Sequence, residues 1–184
     1  MIIETERLRL RPFREADYPD ITAYATDPEF YRYLPIEKQT DETLRIFFDE
    51  RLADQEQKSK TRRTFAVALK ADDRIIGTIR LGIFDEKERL ADIGYAMDLA
   101  RQGHGFMAEA VQRVLHYCFL ELDMLQIWAT VDKENSRSWK LMEGLGMRRS
   151  SGLPLGLDFP SGFEQDFAYS ISKTEFAQSK ASEC

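Results

Sequence analysis

The chain has 184 residues, 43% of them hydrophobic and 32% charged, with a formal net charge of −6. That length holds one domain with a proper core, and the composition is that of a soluble globular protein rather than a disordered one. The acidic balance argues against nucleic acid as the main partner, and no apolar run is long enough to span a bilayer.

The opening, MIIETERLRLRPF, alternates charged with apolar residues and lacks the apolar centre of a signal peptide, which predicts a cytoplasmic protein. Within it, RLRLRPF sets Leu8 and Leu10 against Arg7, Arg9 and Arg11, the pattern of a half-buried strand with one charged face. Pro12 puts the end of this strand at a sheet edge. Helical segments follow at 14–27 and 40–57, opening near Asp17 and Thr40. In the aromatic connector between them, Tyr31 and Tyr33 read as packing residues or as substrate contacts.

Over residues 63–98 the period becomes two. Phe65, Val67 and Leu69 alternate, then Ile75, Gly77, Ile79, Leu81 and Ile83, then Ile93, Tyr95 and Met97, with KADDR and DEKER as charged turns. This is an antiparallel meander of three strands. From Phe106 the period is helical: Val111, Val114, Leu115, Cys118, Phe119 and Leu122 form one stripe, with His116 facing away and Glu109 set to pair with Arg113. QIWATV, residues 126–131, is a further strand that can lie parallel to 91–98 through a right-handed crossover. A second helix opens at Asn135, a good N-cap, and stops at Gly146. Residues 151–163 form a Gly/Pro-rich loop long enough to be functional, a last strand covers 165–172, and a polar, frayed tail runs from 173 to 184. Residues 1–172 read as a single domain.

Neither cysteine reads as a nucleophile: Cys118 sits on a helix stripe and Cys184 ends the chain. His104 and His116 have no third ligand nearby, so no metal is expected. The distinctive stretch is DLARQGHGFMAEA, residues 98–110, where Gly103 and Gly105 separate a strand from a helix. It reads either as a flexible turn or as a place where backbone amides approach an anion at a helix N-terminus. The Walker pattern is absent, and the dinucleotide fingerprint fails because Ala108 stands at its third glycine.

Here the sequence resembles the GNAT family of acyl-CoA-dependent N-acyltransferases. ADIGYAMDLARQGHGFMAEAV resembles the family's pyrophosphate-binding segment, with Ala100 in the usual Gln/Arg place and Arg101 and Gln102 beside it. ATVDKENSRSWKLMEGLGMRR resembles the adjoining strand–Asn–helix segment, with Met147 at the usual aromatic. ETERLRLRPFREAD resembles the opening strand of the ribosomal-protein (Rim-type) branch and related N-acetyltransferases. The resemblance spans residues 3–150. It implies an α+β fold with a mixed, mostly antiparallel sheet of six to seven strands, flanked by helices and splayed between two parallel central strands. It also implies acetyl-CoA as cosubstrate, no metal, and a primary amine as acceptor, either a protein N-terminus or a small molecule; a homodimer stays open.

Carried over residue by residue, the resemblance assigns cofactor contacts to Met97 and Leu99 through backbone groups and to the loop residues Gln102, Gly103, His104, Gly105, Phe106 and Met107. Asn135 and Ser138 contribute side chains. From Asp98 back to Asp92 is about 20 Å of strand at roughly 3.3 Å per residue, comparable to a pantetheine arm, which sets the thioester near Asp92. Asp92 is the candidate base or water-ordering carboxylate, the alternative being a solvated acid near a strand start. Ser138 is the candidate donor to the departing sulfur, because Met142 stands where the family often has a tyrosine, the alternative being a first-turn hydroxyl that satisfies backbone; Tyr95 reads as packing. The expected activity is acetyl transfer by direct attack in a ternary complex, with a non-catalytic acyl-CoA-binding module of the same fold as the alternative.

Overall fold

The computed structural model describes residues 1–56, 61–159 and 166–181. Among them the strands are β1 (Ile3–Glu4), β2 (Leu8–Arg11), β3 (Arg62–Leu69), β4 (Ile75–Asp85), β5 (Leu90–Met97), β6 (Gln126–Val131), β7 (Arg148–Ser150) and β8 (Phe167–Ser172). The helices are α1 (Tyr18–Ala25), α2 (Asp41–Glu56), α3 (Phe106–His116), α4 (Ser136–Gly144) and α5 (Lys173–Ala181). The eight strands form one sheet in the order β1-β2-β3-β4-β5-β6-β8-β7. Every neighbouring pair is antiparallel except β5 and β6. The two strands that the sequence pattern did not give are β1 and β7, of two and three residues, too short to leave a period of two. Among the described residues no helix is long and apolar enough to cross a membrane.

Alternation along the strands makes two layers. In β3, Phe65 and Val67 join the larger core with α3, whereas Ala66 turns to the smaller core with Ile21 and Phe48 of α1 and α2. The α3 stripe is fully buried at Val111, Val114, Leu115, Cys118 and Phe119. After His116 the helix widens into a π-helical turn, Tyr117–Glu121, which brings the consecutive residues Tyr117, Cys118 and Phe119 inward. Thr40 and Thr43 cap α2 reciprocally, each hydroxyl accepting the other's N–H at 3.2 and 2.8 Å. Tyr31 is a packing residue whose hydroxyl donates to the Ala25 carbonyl at 2.7 Å.

Three sequence readings are corrected. Arg11 is not on a charged solvent face: its side chain is 1% exposed and bonds both Asp17 oxygens at 2.8 Å, because the turn before α1 folds back over β2. Residues 173–181 of the expected frayed tail are α5, and Phe176 packs into the larger core against Phe119 and edge-on to His116. Glu109 does not pair with Arg113, which bonds Glu121 instead, since Thr5 and Arg7 claim the Glu109 carboxylate. Of the loop expected at 151–163, residues 160–163 lie outside the described residues, as do residue 165 of the last strand and Cys184.

Candidate active site

β5 and β6 pair at Leu90 with Gln126, Ala91 with Ile127 and Asp92 with Trp128, and then part. β5 runs on to Met97 and β6 to Val131 without a further ladder between them. From Ile93 to Met97, β5 stays bonded to β4, and among the described residues its other edge is unpaired. Two facing edges of this kind form a slot that takes an extended chain by main-chain hydrogen bonds.

The slot opens onto the glycine loop. Asp98 caps a short turn, Leu99–Arg101, by accepting the Ala100 N–H at 2.9 Å. Gly103 and Gly105 follow with φ of 82° and 77°, left-handed conformations that L side chains rarely adopt. The first main-chain bond into α3 runs from the Glu109 N–H to the Gly105 carbonyl at 3.0 Å. Among the described residues, the N–H groups of 103–108 therefore have no main-chain partner, and they stand at the positive end of α3. A Cβ added at Gly103 would meet nothing within 4 Å. Such an amide cluster at a helix start has the donors and the dipole end that suit an anion, and is termed the cradle.

Two arginines brace it. Arg7 donates from Nε to Glu109 Oε2 at 2.6 Å and from Nη1 to the His104 carbonyl at 3.0 Å, and its guanidinium covers the Phe106 ring at 4.5 Å. Thr5 Oγ1 and the Arg7 N–H donate to the second Glu109 oxygen. Burial pushes the Glu109 carboxyl up, but these donors together outweigh it and hold it below the usual carboxylate range. Arg137, in the first turn of α4, donates to Gln102 Oε1 at 2.7 Å and ties the loop to that helix.

At the other end, Asp92 and Ser138 lie on opposite faces of β5. Ile93 and Met97 belong to the larger core and Tyr95 packs against it, so alternation turns Asp92 to the face of α1 and α2. There its carboxylate bonds both terminal nitrogens of Arg80, over the bare Cα of Gly82, where a Cβ would come within 2.5 Å of Asp92 Oδ1. Across the strand, the Tyr95 hydroxyl lies 2.9 Å from Ser138 Oγ and 3.3 Å from the Ser138 carbonyl. Burial pushes the Tyr95 phenol up to about 12, with the Ser138 bond offsetting this in part. Asn135 accepts the Ser138 N–H at 3.2 Å and caps α4. Cys118 is fully buried, and burial pushes its thiol up to about 12, so it offers no thiolate nucleophile.

The profile of the family described as "Acetyltransferase (GNAT) domain" matches residues 7–148, from β2 through the slot and the cradle to β7. The chain belongs to that family. It is 32% identical to the "uncharacterized N-acetyltransferase p20" of Bacillus licheniformis over 94% of this chain and 97% of that one. A solved acetyltransferase of the GNAT family from Bacillus anthracis is 28% identical, with a TM-score of 0.78 over 95% of this chain and 99% of that one. The fold alone is shared with a spermidine N-acetyltransferase from Vibrio cholerae solved with CoA and spermine, which is 22% identical with a TM-score of 0.73, over 94% and 99% of the two chains.

In this GNAT chain, the structure brings Gln102, Gly103, His104, Gly105 and Phe106 together in one braced loop. His104 is exposed and stacks on Phe106 at 5.8 Å. Met107 and Met97 point into the core, so either could meet a ligand only through backbone, and Leu99 is 38% exposed in the turn. Reading the sequence missed Arg7, Arg80 and Arg137 as members of the site. Arg80 had a signal, since the Arg80–Gly94 and Gly82–Asp92 register puts it on the Asp92 face once the hairpin is drawn. Arg7 and Arg137 reach their partners across the fold and had none.

Proposed function

We propose that the protein transfers an acetyl group from acetyl-CoA to a primary amine, a protein N-terminus or a small molecule, by direct attack in a ternary complex. The observation that carries this reading is the slot beyond Asp92 and Trp128, opening onto the amides of residues 103–108, which have no main-chain partner among the described residues. The amides of 103–108, flanked by Arg7 and Arg137, suit a pyrophosphate, and the free edge of Ile93–Met97 suits the amide groups of a pantetheine arm. Asn135 adds its side-chain amide at the α4 end.

The thioester supplies an activated acyl carbon with a thiolate leaving group. Asp92, fixed by Arg80, orients the incoming amine or an ordered water and takes up the proton that the amine loses. An α-amine, with a pKa of about 8, asks only modest help from such a carboxylate. Ser138 Oγ–H donates to the departing sulfur. Most of the rate enhancement would then come from holding the two reactants together.

Acetyl-CoA at about 100 times its Kd should add about 2.7 kcal/mol of stability, read as a rise in Tm. A panel of amines and peptides followed by thiol release should show turnover. No Tm change with acetyl-CoA or CoA at millimolar concentration would overturn the reading, and binding without thiol release from any acceptor would remove the catalytic part.

A further inference from the structure

The slot has a second hydroxyl that the proposed chemistry has not used. Tyr95 lies three residues past Asp92, on the stretch of β5 that keeps a free edge, and faces α4. Among the described residues its oxygen has two hydrogen-bond contacts, both to Ser138: the side-chain oxygen at 2.9 Å and the carbonyl at 3.3 Å. The first turn of α4 is held in place, because the Ser138 N–H bonds both the Asn135 side chain and the Asn135 carbonyl at 3.2 and 3.1 Å. One turn on, Met142 is 2% exposed and brings no donor.

The two contacts correspond to two proton arrangements. If Tyr95 O–H points to the Ser138 carbonyl, the serine proton is drawn back onto the tyrosine oxygen. If Tyr95 O–H points to Ser138 Oγ, the shorter contact, the serine proton is free to turn into the slot. A serine rotor without that donor has no fixed direction.

We propose that Tyr95 is a positioning residue for acetyl transfer: its hydroxyl donates to Ser138 Oγ and directs the Ser138 proton at the departing sulfur. This rests on the acetyl-transfer reading of the site. The C–N bond forms, the C–S bond breaks with its electron pair left on sulfur, and Ser138 O–H donates a hydrogen bond to that sulfur. The proton that finally neutralises the thiolate is the one lost by the amine, returned through solvent. Neither hydroxyl changes its protonation state, and with its phenol pushed up to about 12 the tyrosine stays a donor throughout the working pH range.

Tyr95→Phe keeps the ring and removes the hydroxyl. It should lower kcat roughly three- to tenfold, the worth of one ordinary hydrogen bond, with KM for acetyl-CoA and the acetyl-CoA Tm shift unchanged. Ser138→Ala should lower kcat roughly ten- to a hundredfold, since it removes a bond to a charged group. The double variant should be no slower than Ser138→Ala alone, because Tyr95 acts only through that serine. A parental kcat in Tyr95→Phe, or losses that multiply in the double variant, would overturn the role of Tyr95 while leaving acetyl transfer standing. A lowered Tm with unchanged kcat would return Tyr95 to packing. Absence of turnover in the parent protein would overturn both readings.

Discussion

At the loop end of β5, the groups on offer are main-chain N–H donors of residues 103–108, held in place by the φ of two glycines and by Arg7. At the Asp92 end, they are side-chain charges that already satisfy each other, Asp92 on Arg80. At the loop end the left-handed φ of Gly103 and Gly105 makes an added Cβ a strain. At the Asp92 end the backbone is ordinary strand, and the paired charges are the distinctive feature. On the proposed function, affinity for an anion and chemistry on an amine would depend on opposite ends of β5, and substitutions should separate them.

The largest effect is expected from Asp92→Asn. It keeps the shape and hydrogen-bonding reach of the side chain while removing the charge, and a positioned acid or base is worth about 10²–10⁴-fold. Steady-state kinetics should show kcat reduced by at least the lower figure, with KM for acetyl-CoA within about threefold. A near-parental kcat would mean that water or the substrate itself does the work of the base, and the contrast between the two ends would fail.

Gly105→Val tests the opposite end. Its φ of 77° is unsuited to a β-branched residue, and a Cβ there meets Arg7 Nη2 at 3.5 Å. Strain of about 1–3 kcal/mol should appear in cofactor binding, roughly a five- to 150-fold rise in KM for acetyl-CoA with kcat at saturation near the parental value. The acetyl-CoA Tm shift should shrink in step. An unchanged KM would reduce the glycines to a turn.

The smallest effect sharpens the comparison by pH. Glu109 ties the turn between β1 and β2 to the start of α3, and its folded pKa lies below that of the unfolded chain. Its contribution to stability is therefore fully present above the ordinary carboxylate range and is lost as pH falls through the depressed folded value. Glu109→Gln should lower Tm at pH 7 and make no difference once pH has fallen below the depressed folded value and the wild-type carboxyl is protonated. An equal Tm loss at both pH values would show that the contact is one of shape and not of charge.

Much of this architecture is legible in one dimension, because local chemistry repeats there. The change from period two over 63–98 to the helical stripe from Phe106 marks the strand–loop–helix junction, and glycine is the residue that a left-handed turn demands. Asn135 and Gly146 bracket α4 for equally local reasons, a side chain that caps its own helix and a φ of 82° after its end. The partners are a different matter. Arg7 and Glu109 are 102 positions apart, and Tyr95 and Ser138 are 43 apart, so no periodicity links them.

The same division explains the misreadings. The alternation of Arg9 and Arg11 puts them on one face of β2, but whether that face meets water depended on the turn before α1, which buries Arg11 against Asp17, while Arg7, just before the strand, turns to α3 instead. Glu109 and Arg113 are correctly spaced for a pair on an isolated helix, worth a few tenths of a kcal/mol, roughly 0.2–0.5. Thr5 and Arg7 together bring three donors to the same carboxylate and win it. The amino-acid sequence by itself determined the elements, the glycine turn and the helix caps, since each is settled within a few residues by backbone conformation and side-chain period. Tertiary structure decided which charges are buried, which hydroxyls meet and where β5 loses its partner, because those outcomes depend on which of several distant groups reaches a given atom first in space.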